Sequence, residues 1–246
     1  MNYYNYFTEI EEHFVRRRGK HLLISPMDWS LIATWRDSGI PLHVALRGID
    51  VAMDGFFAKT HRGTSKINSL FYCHDSVMAE YTRHLESHLG ESSSNTTNTK
   101  ADVETETAAK RGHEPDLAEV LQFISNRIIE INALCAKRSF SGKAPEGLER
   151  ILLRLKEIGQ TLKTNTRVDL EALERDLGIL DELLVMELRA ILPPERIAEW
   201  EQEAKRELKV YRKRLPSETY EQIRKNFMRG KIHRMFDVGE LSLFHL

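Results

Sequence analysis

Apolar residues recur at helical intervals along almost the whole chain. Phe7, Ile10 and Phe14 predict a first helix over about Tyr6 to Arg18, ended by Gly19. The short apolar run His21 to Ile24 reads as an extended, strand-like element. Ser25 then takes the place of an N-cap, with Pro26 at the first helical position and Asp28 three residues after the cap, a capping-box variant. The helix that follows is expected to bury Trp29, Leu31, Ile32 and Trp35, and Gly39 sits where a left-handed residue closes it. Pro41 opens a third helix. Its positions Leu42, Ala45, Leu46, Ile49, Ala52, Met53 and Phe56 keep to one face, with His43, Arg47, Asp50 and Asp54 opposite. A fourth helix over about Lys66 to Ser87 is predicted from Ile67, Leu70, Phe71, His74, Val77, Met78, Tyr81 and Leu85.

The pattern lapses between residues 89 and 115, a Ser/Thr/Asn/Glu-rich stretch with almost no large apolar side chains. Such a stretch cannot offset its ordering entropy by burial and is expected to be a disordered linker. Beyond it the helical spacing resumes. Leu117 to Cys135, Leu148 to Leu162 and Leu170 to Ile191 each carry a stripe, the third close to a heptad repeat. Pro193 and Pro194 break the chain. A further helix is expected to carry Ile197, Trp200, Ala204, Leu208, Tyr211 and Leu215, and Pro216 with Ser217 opens a last one. The prediction is an all-α protein. A small helical module (residues 1–88) is joined by a disordered linker (89–115) to an antiparallel helical bundle (116–246), because stripes this wide bury against each other. The apolar end LSLFHL is expected to dock on the bundle, with an exposed peptide ligand as the other reading.

Composition narrows the function. The 246 residues balance 36 Lys+Arg against 37 Asp+Glu, a net charge of -1, which excludes a uniformly basic nucleic-acid binder and leaves local patches open. Two cysteines, Cys73 and Cys135, are too few for a disulfide scaffold, so a reducing, cytoplasmic setting is expected. The N-terminus lacks the apolar core of a signal peptide, and no run approaches the length of a membrane span.

Catalytic chemistry is hard to place. No glycine-rich phosphate loop is present, since Gly48 and Gly55 fall within a helix. His84 and His88 have metal-ligand spacing at a helix end but are read as solvated, so neither a metal nor a cofactor is expected. His74 beside Cys73 is read as a satisfied core histidine. No enzyme is predicted.

Basic residues offer more. Lys205, Arg206, Lys209, Arg212, Lys213, Arg214, Arg224, Lys225, Arg229, Lys231 and Arg234 face only Glu207, Glu218 and Glu221 within their own stretch, with Tyr211, Tyr220 and Phe227 interleaved. Density of this kind suits a phosphate backbone, through release of condensed counterions. The competing reading is a solvated face balanced by the acidic third helix of the bundle. A smaller cluster is Arg16, Arg17 and Arg18 with Lys20 and His21. The candidate phosphate contacts are therefore Arg16, Arg17, Arg18, Lys205, Lys209, Arg212, Lys213, Arg214, Arg224 and Lys225.

The run SPMDWSLIATWRDSGIPLHVALRGIDVAMDGF, with KINSLFYCHDSVMAEY after it, resembles the helical module of DnaD-like and DnaB-like primosomal replication proteins of Gram-positive bacteria and their phages. Ser25, Pro26, Trp35, Gly39, Pro41, Ile49 and Ala52 match its cap, helix-end tryptophan, turn and Ile/Ala pattern. Tyr72 to Tyr81 departs from the family's closing Tyr…Ile…Trp arrangement. The resemblance implies a replication role and association with DNA, and it carries over no functional residue. Two functions are thus expected: a nucleic-acid-associated protein, or an adaptor or self-assembling scaffold that binds protein through the Trp29/Trp35 surface or the LSLFHL tail.

Overall fold

The computed structural model describes residues 5–19, 24–59, 67–91, 116–136, 146–164 and 168–246. The described residues form α-helices and short 3-10 turns with no strand. In chain order the α-helices are α1 (Tyr6–Arg18), α2 (Pro26–Asp37), α3 (Leu42–Lys59), α4 (His74–Glu91), α5 (Leu117–Ala136), α6 (Glu146–Thr164), α7 (Leu170–Ile191), α8 (Pro194–Leu208) and α9 (Ser217–Phe236). The strand-like reading of His21 to Ile24 falls outside the described residues except for Ile24. So does the linker reading, except that residues 89–91 continue α4.

The chain divides into two compact units. The first holds the described residues up to 91 together with Glu207–Phe227, and the second holds those of 116–206 with Met228–Leu246. Residues 207–227 were expected in the bundle and instead pack in the first unit.

In the first unit, α3 packs on α4 and α1 packs on α2 and α3. The Ser25–Asp28 capping box closes in both directions: Asp28 N–H donates to Ser25 Oγ at 3.1 Å and Ser25 N–H donates to Asp28 Oδ2 at 3.2 Å. Asp28 is fully buried and reaches further than a cap. Its Oδ1 accepts from Ser69 Oγ–H at 2.6 Å and Leu70 N–H at 2.9 Å, tying α2 to the 3-10 turn Leu70–Tyr72. That turn, started by Ser69, is why α4 begins at His74 and not near Lys66. Gly19 and Gly39 both take positive φ, the conformation their predicted helix-ending roles require. Gly48 lets α3 approach α4 closely, since a Cβ there would lie 2.5 Å from Val77 Cα.

In the second unit, α5, α6 and α7 pack consecutively around Val120, Ile124, Leu148, Leu155, Leu177 and Leu184, all buried. The C-terminal residues dock as expected, with Leu241, Ser242 and Leu243 buried. Three carboxylates capture their backbone in turn. Glu130 accepts from Gly239 N–H at 2.9 Å, Asp181 from Leu241 N–H at 2.7 Å, and Glu174 from Leu243 N–H at 2.7 Å.

Two surfaces expected to bind partners are therefore largely used in packing. Trp35 lies in the core and Trp29 is half-buried, stacked on Phe7 at 5.5 Å, while of the tail Leu241 to Leu243 are buried and Leu246 is exposed.

Candidate polyanion-binding surface

The break between α8 and α9 decides which cations are available. α8 ends at Leu208, and residues 209–215 form turns held by Tyr211 N–H to Leu208 O, 3.0 Å, and Leu215 N–H to Tyr211 O, 3.0 Å. Tyr211 and Leu215 thus lie on a turn, where the sequence pattern extended the helix. The turn is anchored in the first unit. Leu208 and Leu215 are buried, and the Tyr211 ring stacks on Phe71 with centroids 4.2 Å apart and planes 19° from parallel. Between these anchors Lys209, Arg212, Lys213 and Arg214 are exposed, and among the described residues none of the four has a carboxylate partner.

The other candidates fare differently. Arg17 is committed to α3, its Nε 3.0 Å from Asp50 and its Nη2 bonded to Asp54, while His13 Nε2 shares Asp50 at 2.8 Å. Arg18 lies over the Phe14 ring at 5.2 Å, and Arg16 Nη2 reaches His13 Nδ1 at 3.3 Å. These three arginines therefore do not form a common outward patch. Arg224 pairs with Glu221 at 2.5 Å; Lys225 is exposed; Lys205 is exposed on α8 in the second unit. Arg229 and Lys231 leave the basic set altogether, bonded to Asp181 and Glu203. Arg229 is thus balanced by the acidic third helix of the bundle, α7, whereas the partner of Lys231 lies on α8. Two of the interleaved aromatics are structural, because Phe227 is buried and Tyr211 presents its face to Phe71, while Tyr220 is half-buried.

Buried polar groups elsewhere are satisfied from within. Trp35 Nε1–H donates to His74 Nδ1 at 3.0 Å, and burial holds His74 below the ordinary imidazole range despite the Asp75 charge. A neutral ring with its proton on Nε2 follows. Burial, reinforced by the Asp28 charge, pushes the Cys73 thiol up to about 12, which removes it as a nucleophile near neutral pH.

In the second unit Asp181 is fully buried and accepts from Arg229 Nε–H at 2.7 Å as well as from Leu241 N–H, with His233 Nε2 at 3.3 Å. His233 Nδ1 lies 3.1 Å from Val238 O. Burial opposes charge on both side chains. Their mutual bond and the charges around them outweigh it, lowering the Asp181 pKa and raising that of His233. This constellation was not foreseen from the sequence. With both groups covered by the tail, it fastens the C-terminus and does not face a substrate.

The His84 and His88 rings lie 4.3 Å apart, and His43 from α3 joins them 5.3 Å from His84. Among the described residues no group of three or more His, Cys, Asp or Glu side chains is arranged to hold a metal ion. No helix among them is long and apolar enough to cross a membrane.

Residues 5–93 match a protein-family model described as "Uncharacterised protein". No curated protein and no solved structure matches the chain.

Proposed function

We propose that the chain is a non-enzymatic nucleic-acid-binding protein whose phosphate contacts come chiefly from the turn Lys209 to Arg214. The observation that carries this reading is the set of four exposed cations, without carboxylate partners among the described residues, on a turn fixed by the Tyr211–Phe71 stack. Anchoring matters, because cations on an ordered turn lose less side-chain and backbone freedom on binding than cations on a free tail. The turn's aromatic residue is spent on packing, so base stacking is not part of the mode. Binding is to the phosphate backbone, tolerant of sequence. The biological setting we attach to it is a replication role like that of the primosomal proteins that the Ser25 to Met53 stretch resembles.

The test is fluorescence anisotropy of duplex and single-stranded oligonucleotides against the whole chain across a salt series. With four phosphates neutralised, log K should fall against log salt with a slope of about -3.6 on duplex, roughly a hundredfold loss between 50 and 200 mM. The variant Lys209→Glu/Arg212→Glu/Lys213→Glu/Arg214→Glu should abolish binding with an unchanged far-UV spectrum. Binding that is absent in the wild type, or that survives in the variant, refutes the proposal.

A second reading, the protein adaptor, has its own support in exposed aliphatic side chains of the second unit. Ile179 and Met186 stand a heptad apart on α7, and Ile129 and Leu153 are likewise exposed. Sedimentation of the wild type against an Ile179→Lys/Met186→Lys variant separates the two. Self-association lost in the variant, without salt-dependent oligonucleotide binding in the wild type, would favour the adaptor.

A further inference from the structure

A different set of cations, on the α3–α4 face of the first unit, is organised around a buried carboxylate. Glu80 is almost wholly buried, its side chain 4% exposed, and a charge so placed needs a partner. It has two. Arg47 Nε lies 2.7 Å from Oε2, and Arg83 Nη1 bonds Oε1 from one turn along α4. One arginine suffices to neutralise Glu80; the second leaves a positive surplus. Both guanidinium groups are largely in solvent, at 52% and 65% side-chain exposure, so the N–H edges not turned to Glu80 remain open. The two arginines line a shallow depression with Val51, Glu80, His84 and Ser87. Ser87 Oγ–H is spent on His84 O at 2.8 Å, so the donors offered to a ligand are the guanidinium N–H groups.

We infer that this depression is a binding site for a phosphate-class dianion, either inorganic phosphate or a terminal phosphomonoester. Two guanidinium groups, held side by side by one carboxylate, offer separate N–H donors to different oxygens of a tetrahedral anion, an arrangement guanidinium geometry favours. Glu80 offsets the mutual repulsion of the two arginines in advance, so the pair is preorganised. A backbone phosphodiester carries one negative charge and is hemmed in by its neighbours. A phosphate on a free end instead presents three unesterified oxygens, enough to engage both guanidinium forks, and can enter a shallow site end-on. The site is independent of the Lys209 to Arg214 turn.

The experiment is amide chemical-shift titration of the whole chain with inorganic phosphate, a nucleoside 5′-monophosphate, and a blunt duplex lacking terminal phosphates. Phosphate and the monophosphate should shift amides around residues 47, 51 and 80–87 saturably, with Kd of about 1 mM or tighter. The unphosphorylated duplex should leave those amides unmoved. Saturation by the monophosphate alone would assign the site to organic phosphomonoesters, and saturation by both would assign it to the phosphate group itself; either supports it. Arg83→Gln should weaken binding about tenfold, and the fold should survive because Arg47 still neutralises Glu80. Arg83→Lys, which keeps the charge but loses the fork, should weaken it less than Arg83→Gln does. Oligonucleotide affinity through the turn should be unchanged in both variants. The inference is overturned by shifts that do not saturate, by shifts centred on Lys209 to Arg214, or by equal phosphate affinity in wild type and Arg83→Gln.

Discussion

Replacing Asp181 with asparagine keeps the shape of the side chain and removes its charge, which makes it a sharp probe of how the second unit is held. In the wild type Asp181 has two acceptor oxygens facing donors: Leu241 N–H at 2.7 Å on one side, Arg229 Nε–H at 2.7 Å and Nη2 at 2.5 Å on the other, with His233 Nε2 at 3.3 Å. An asparagine has one acceptor oxygen and one donor NH2. If its oxygen keeps Leu241, the NH2 points at a guanidinium and leaves the Arg229 charge half-buried without a counter-ion. If it flips to face Arg229, the Leu241 N–H is orphaned. Breaking a buried pair by removing one partner costs about 3–5 kcal/mol. A loss of that size lowers Tm by about 10 °C or more. The assay is urea unfolding together with amide exchange of residues 238–243, whose protection should fall first because the tail depends on this acceptor. A loss under about 1 kcal/mol, with unchanged exchange at Leu241 and Leu243, would refute the reasoning, since that is the range of ordinary exposed ion pairs.

The same substitution tests a pH dependence. The raised pKa of His233 means that its contribution to stability is complete below the ordinary imidazole value of 6.5 and is lost as pH rises through the folded value. The lowered pKa of Asp181 works in the opposite direction: its contribution is complete above 3.8 and is lost as pH falls through the folded value. Besides Asp181, the charged groups acting on His233 are Arg229 and Glu240. Stability from this cluster should therefore hold between about pH 4 and 6.5 and weaken on either side. Asp181→Asn should remove the alkaline loss, as read from unfolding midpoints across a pH series.

Further outcomes follow from the packing of the first unit. Asp28→Ala removes the carboxylate half of the capping box and orphans Leu70 N–H, and should destabilise by about 2–4 kcal/mol in urea unfolding. Gly48→Ala should cost about 1–3 kcal/mol, because its Cβ would press on Val77 backbone at 2.5 Å. Gly55→Ala, with no atom within 4 Å, should be neutral or stabilise α3 by up to about 1 kcal/mol. Under native conditions a thiol reagent should count at most one cysteine, Cys135, with Cys73 reacting only on unfolding. Two fast thiols would contradict the burial of Cys73.

What was legible in the sequence was local. The Ser25–Asp28 box, the Gly19 and Gly39 stops and the helical stripes are settled by residues within a turn of each other, so their chemistry is written consecutively. Asp181 was not legible as a centre, because Arg229, His233 and Leu241 lie 48, 52 and 60 residues further on. The same distance hid Arg17's commitment to Asp50 and Asp54 and the gathering of His43 with His84. α9 misled for a different reason. Its first half belongs to the first unit, where Asn226 donates to Thr34 Oγ1 and Asp37, and its second half to the other unit, where Arg229 and His233 meet Asp181. A helix that serves two cores has no single apolar face, so its stripe says little about where it packs. Leu208 and Leu215 misled through their spacing: seven residues apart, they imitate two turns of helix while bracketing a turn. That error bears directly on function. On a helix continuing to Leu215 the six cations from Lys205 to Arg214 would be spread around the axis at 100° per residue, diluting any patch. The break at Leu208 concentrates four of them between two buried leucines, while ion pairing takes Arg229 and Lys231 out of play. Charge density along the chain overstated how many cations face outward. The turn gives four of the exposed cations a fixed geometry, and a fixed set of four is what a salt slope can count.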